Sequence, residues 1–129
     1  MKILHAPVNI ANQGWLLSRG QRLAGHQADL HAAASPVLRY PADRTIGFNE
    51  GPRRDRVASA FRYLAEVVEA DYDVFHFYYH ASLLPRSYGI EAYADLPILR
   101  GLGKKVFFHL VGCDFRLPEL SHQRNPQTM

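Results

Sequence analysis

The hydrophobic pattern of the chain changes period several times, and each change marks an element. KILHA (2–6) is a short apolar run of the kind a buried strand presents. NIANQG (9–14), rich in Asn and carrying a glycine, reads as a tight loop. In WLLSRGQRLAG (15–25), Trp15, Leu16, Leu23 and Ala24 fall at helical spacing, and Gly25 acts as a C-terminal stop. Gly20 within it weakens the helix by about 1 kcal/mol relative to alanine. QADLHAA (27–33) reads as a second strand, which completes a strand–loop–helix–strand unit.

Pro36, Pro41, Gly47, Gly51 and Pro52 crowd residues 34–54, predicting a long surface loop with room for one edge strand. RVASAFRYLAEVVEA (56–70) is the clearest helix, because Val57, Phe61, Leu64 and Val68 step by helical intervals while Arg62, Glu66 and Glu69 fall opposite. VFHFYY (74–79) is aromatic and β-prone, hence a strand. HASLLPRSYGIEAY (80–93) reads as loop, with Ala81–Leu84 able to form a helical turn. DLPILRGLG (95–103) predicts a short helix with Asp95 as N-cap, Pro97 in the first turn and Gly103 past the end. KKVFFHLVG (104–112) is the last strand, with Val106, Phe107 and Phe108 reading as interior.

Strands alternating with helices predict an α/β fold, a Rossmann-like, mostly parallel sheet with helices on both faces, in one domain over residues 1–129. In such open sheets ligands bind beyond the carboxyl ends of the strands, where strand order reverses. The loops 8–14, 79–93 and 110–118 therefore become the candidates for chemistry.

Composition narrows the class. Apolar residues make up 47% and charged residues 21% of the 129, which suits a globular core. The 15 basic and 12 acidic residues leave a formal charge of +3, with GPRRDR (51–56) the densest basic cluster. Asp55 interrupts that cluster, so the pattern argues against a nucleic-acid stripe. A single cysteine forms no internal disulfide or zinc spacing, and the N-terminus reaches Pro7 too soon for a signal-peptide core. These features predict a cytoplasmic protein.

Three constellations carry candidate chemistry. Gly14 stands where the backbone of NIANQGW could approach an anion at a helix N-terminus, although the segment is neither GxGxxG nor a Walker loop and also fits a plain turn. His76 and His80 lie four apart, but on a strand that spacing spans roughly 13 Å, too far to share a metal ion. His76 then reads as a hydrogen-bonded core residue and His80 as site-lining. HLVGCDFR (109–116) delivers His109, Asp114 and Arg116 after the last strand, with Gly112 permitting a sharp turn. There an acid could orient a histidine and a base could hold an anion, or His109 could be a core residue while Asp114 and Arg116 pair with each other. Cys113 has no sequence-near partner to activate it.

Taken together, DVFHFYYHASLLP, DLPILRGLGKKVFFHLVGCDFR and NIANQGWLLSRGQRLAGHQADL resemble the N-terminal domain of retaining glycosyltransferases with the GT-B fold. The likeness covers residues 2–126, and its distinctive part is GKKVFFHLVGCDFR with its HxxGxDxR pattern. It implies transfer of a sugar from a nucleotide-sugar donor to an acceptor, without a metal or other cofactor. By that likeness Gly14 is the loop glycine near the donor phosphates, His109 contacts the donor sugar, and Asp114, Arg116 and His80 support the site. The first loop carries one glycine where the family usually has a pair. The donor-binding C-terminal half would lie in a missing domain or a separate chain, so this chain alone is expected to be inactive. Partners implied are the nucleotide-sugar, an unidentified acceptor and, through residues 51–56, a peripheral membrane contact, with no nucleic acid. The alternative is a stand-alone, non-catalytic α/β module binding a nucleotide or protein through the same strand ends.

Overall fold

The computed structural model describes residues 1–33, 39–48 and 51–110. Five strands run parallel in one sheet: β1 (Lys2–Ala6), β2 (Gln27–Ala33), β3 (Arg44–Ile46), β4 (Val74–Tyr78) and β5 (Lys105–His109). Their order is β3-β2-β1-β4-β5. Helices α1 (Gln13–Leu23), α2 (Arg53–Glu69) and α3 (Leu96–Gly101) connect them. This is the predicted Rossmann-like α/β fold. Strand order reverses between β1 and β4, so the loops leaving those two strands flank the place where an open parallel sheet offers a crevice.

The two sheet faces are built differently. Leu4, Ala6, Phe75 and Phe77 point to the face covered by α2 and α3, where they join Leu64, Val67 and Leu99 in the main core. On the other face His5 and Leu30 lie under α1, and Ile3, Ala28 and Val74 make a small apolar patch. The inner strands β1 and β4 have both faces to bury, which explains why they are largely apolar.

Several local expectations shift. In α2 the buried face is Ala60, Tyr63, Leu64 and Val67, while Phe61 is exposed, so the packed stripe keeps Leu64 but is rotated about a quarter turn from the one the apolar spacing predicted. Tyr63 turns inward because its hydroxyl meets His31 Nδ1 on β2 at 2.9 Å. Phe107 and Phe108, expected inside, are 56% and 37% exposed, since β5 is an edge strand. Ala81–Leu84 forms no helical turn. Asp95 has helical backbone angles and makes no N-cap bond; its carboxylate is buried and serves another segment. Among the described residues no helix is long and apolar enough to cross a membrane.

Candidate functional site

The two loops at the point of strand reversal share an unusual backbone. After β1 the chain makes a 3-10 turn, Ile10–Asn12, in which Ala11 and Asn12 adopt φ of 48° and 62°. After β4, Tyr79 and His80 adopt φ of 53° and 49°. Left-handed angles cost a non-glycine residue roughly 1 kcal/mol each, and such strain gathers where a fold presents a ligand clamp. Asn9 stabilises the first loop by donating from Nδ2 to Asn12 Oδ1 at 3.2 Å and to the Pro41 carbonyl at 3.0 Å.

Gly14 sits in the first turn of α1, buried against the sheet rather than in the loop. A Cβ there would meet Leu30 Cδ1 at 3.0 Å, Asn9 Oδ1 at 3.4 Å and Tyr78 Cε2 at 3.7 Å. Its smallness lets the helix start approach β2 and β4 closely. The amides of this helix start are largely satisfied from within: Gln13 N–H donates to Ile10 O, and Trp15 N–H to Asn9 Oδ1 at 3.4 Å. An anion at this helix end would have to displace the Asn9 side chain.

Two adjoining cavities open over the carboxyl ends of β1, β2 and β3. One, of about 470 Å³, lies on the α1 side and includes Asn9, Ile10, Arg39 and Tyr40. The other, of about 400 Å³, lies toward α2 and is walled by Pro7, Ile46, Phe48, Leu83, Leu84 and Arg86. Val8, Ala33 and Thr45 line both, so the pair forms one groove. Its floor depends on Asp95, whose carboxylate accepts from Ser82 Oγ at 2.6 Å and from Leu83 N–H at 2.8 Å. Those two bonds hold the segment after β4 in place beneath the cavity. The volumes fall within the range of small-molecule sites.

On the α1 face a row of rings crosses β1, β4 and β5. His5 lies 5.0 Å from His76, His76 stacks on Tyr78 at 4.8 Å, and Tyr78 stacks on His109 at 5.3 Å. Strand register produces the row, since His5 is opposite His76 and Tyr78 opposite His109. His5 Nε2 donates to Gln21 Oε1 at 2.7 Å, and Tyr78 O–H donates to His5 Nδ1 at 2.7 Å, an arrangement that needs neutral His5. Burial lowers the pKa of His5 and raises that of Tyr78. Burial, with His5 and His109 alongside, lowers His76 to about 4, and burial also lowers His31 under α2.

These histidines make stability depend on pH. Each binds its proton more readily when unfolded than folded, so their contribution is complete above about pH 6.5 and declines as pH falls towards the folded values. The half-buried His76 ring is partly screened by water, and its share between pH 7 and pH 5 is about 1 kcal/mol. His5 and His31 act in the same direction. Urea unfolding at the two pH values is expected to show this drop, and His76→Phe should reduce it; an unchanged slope in that variant would remove His76 as a source.

Of the residues singled out in the sequence, His109 ends β5 within the ring row, and His80 is exposed just beyond β4. Neither lines the groove, nor does Gly14. His80 is not on the strand at all, because β4 stops at Tyr78. His76, expected to be hydrogen-bonded, makes ring contacts with His5, Tyr78 and His109 and no side-chain hydrogen bond among the described residues. Gly112, Cys113, Asp114 and Arg116 lie outside the described residues, so the HxxGxDxR pattern is described only at His109. In comparisons with known proteins, no family model and no curated sequence matches this chain. Sequence reasoning passed over His5 and Arg86. His5 had a visible signal, a lone polar residue in an apolar strand, while Arg86 had none. Among the described residues no group of His, Cys, Asp and Glu is arranged to hold a metal ion.

Proposed function

We propose that this chain is the acceptor-side domain of a glycosyltransferase that uses a nucleotide-sugar donor. The observation that carries the reading is the groove over the carboxyl ends of β1, β2 and β3, beside the point where strand order reverses. A concave, largely apolar groove with a few polar groups at its rim suits an acceptor that must be held still while a second domain brings the donor. The resemblance of GKKVFFHLVGCDFR to the glycosyltransferase pattern supports the same assignment, with His109 on the β5 end that would face a donor sugar. A histidine at a strand end can hydrogen-bond a sugar hydroxyl in its neutral form. The donor half would come from a further domain or a separate chain, and the reaction needs no metal on this side.

The test is saturation-transfer NMR with UDP- and GDP-sugars, run on the chain alone and with a donor-binding half supplied. Weak or no binding alone, strengthened when the second half is present, is the expected result, with no turnover by the chain alone. Transfer catalysed by the isolated 129 residues would overturn the division of labour. Binding of a protein partner with no response to any nucleotide-sugar, in either form, would favour a non-catalytic module.

A further inference from the structure

We propose that the α2-side cavity of the groove binds a small amphiphile, with its apolar body on Val8, Ile46, Leu83 and Leu84 and a single phosphate or carboxylate group on Arg86. The inference takes the acceptor-side reading as its setting and adds the chemical class of acceptor; the binding itself requires no transfer reaction.

The wall is apolar where the ligand would lie deepest. Ile46, Leu83 and Leu84 also belong to the buried core, and Phe48 packs against that core from the rim. Of the polar groups on the floor, Ser82 Oγ and Leu83 N–H are already occupied, both donating to Asp95, and the Thr45 hydroxyl stands at an exposed position of the lining. A ligand resting on this floor finds little to hydrogen-bond there, which selects a hydrocarbon body over a sugar ring. Burying such a body contributes about 25 cal/mol per Å² of apolar surface.

The anionic end is assigned by elimination among the arginines of this edge. Arg53 donates from Nε to the Tyr88 carbonyl at 2.9 Å, and Arg56 donates to the Gly51 carbonyl at 2.8 Å. Arg54 pairs with Asp55 at 3.4 Å. Arg86 is different: it lies 5.9 Å over the Tyr93 ring, and no carboxylate among the described residues pairs with it. A guanidinium steadied by an aromatic face at the mouth of an apolar cavity has its donors available for a fork-shaped anion. Arg39 stands in the neighbouring cavity, on the α1 side, and has no part in the proposed head-group contact.

The probes are octyl phosphate, octanol and inorganic phosphate below micelle-forming concentrations, followed through the methyl NMR signals of Val8, Ile46, Leu83 and Leu84. Octyl phosphate is expected to shift these signals and to bind about tenfold more tightly than octanol, while inorganic phosphate alone shifts none of them. Arg86→Ala should bring octyl phosphate down to the affinity of octanol, Arg86→Lys should keep part of the gain, and Arg39→Ala should change nothing. Ala33→Trp, at an exposed position on the cavity wall, should block both octyl ligands without unfolding the protein. Equal binding of octanol and octyl phosphate, an unchanged Arg86→Ala, or a loss confined to Arg39→Ala would each overturn the proposal. So would association with anionic vesicles that leaves the four methyl groups unmoved, which would assign the basic edge to a membrane surface. The glycosyltransferase reading fails separately, by the absence of any nucleotide-sugar effect, and that failure leaves this binding result standing.

Discussion

Asp95→Ala is expected to lower folding stability by about 3 kcal/mol, more than Asp95→Asn or Ser82→Ala. The carboxylate is fully buried and accepts two bonds, from Ser82 Oγ at 2.6 Å and Leu83 N–H at 2.8 Å. Alanine would leave the Leu83 amide buried without an acceptor, and that desolvated donor accounts for most of the cost. Bonds to a charged acceptor are worth more than neutral ones, so Asp95→Asn should recover only part of the loss. Ser82→Ala, which removes one donor and strands nothing but a lone pair, should cost about 1 kcal/mol. Urea unfolding of the three variants, with amide exchange at Leu83 as a local readout, checks the ranking. A loss below 1 kcal/mol for Asp95→Ala, or unchanged exchange at Leu83, would mean the segment under the groove is anchored elsewhere. Because Leu83 and Leu84 form the cavity floor, the same variant should weaken octyl phosphate binding before the protein unfolds.

Gly14→Leu is expected to cost a further large amount, about 3 kcal/mol, through overpacking. Already the first added carbon would meet Leu30 Cδ1 at 3.0 Å, and the remaining atoms would press on Tyr78 and Asn9. Displacing Tyr78 also threatens its bond to His5, so the damage would spread along the ring row. Gly14→Ala should be near neutral, because the roughly 1 kcal/mol gained in helix propensity offsets a shift of a few tenths of an ångström in Leu30. Thermal or urea unfolding measures both. A Gly14→Leu protein as stable as the parent, yet weaker for nucleotide-sugars when the donor half is present, would return Gly14 to the phosphate-facing role that its sequence position suggests.

These two residues show where the sequence was sufficient and where it was not. DLPILRGLG announces a short helix and places an acid at its start, and the helix is there as α3. A local reading makes that acid a cap, because capping is the common use of Asp before a helix. Only the return of Ser82 and Leu83 from the end of β4 turns it into a buried anchor, and nothing within ten residues of Asp95 signals their approach. Gly14 behaves similarly. Its position after a strand marks it as a loop glycine, but the closeness of Leu30 and Tyr78 gives it a packing role.

The candidate site divides along the same line. Placement at the carboxyl ends of the strands was legible, since alternation of apolar runs with helical periods predicts a parallel sheet and hence its crevice. The ring row was legible only in fragments: His76 and His109 stand out in the sequence, but on separate strands. The groove was not legible, because its walls come from four segments far apart in the chain.

By itself the sequence determined the elements, their kind and the parallel sheet they form, because those follow from the period of apolar positions over a handful of neighbours. Strand order, the helical face that packs, the exposure of Phe107 on an edge strand and the meeting of Val8, Leu83 and Arg86 were decided by tertiary structure alone. The physical reason is range. Periodicity records which side of an element is buried, whereas a site depends on which elements become neighbours, and that is fixed by packing between residues the local pattern never compares.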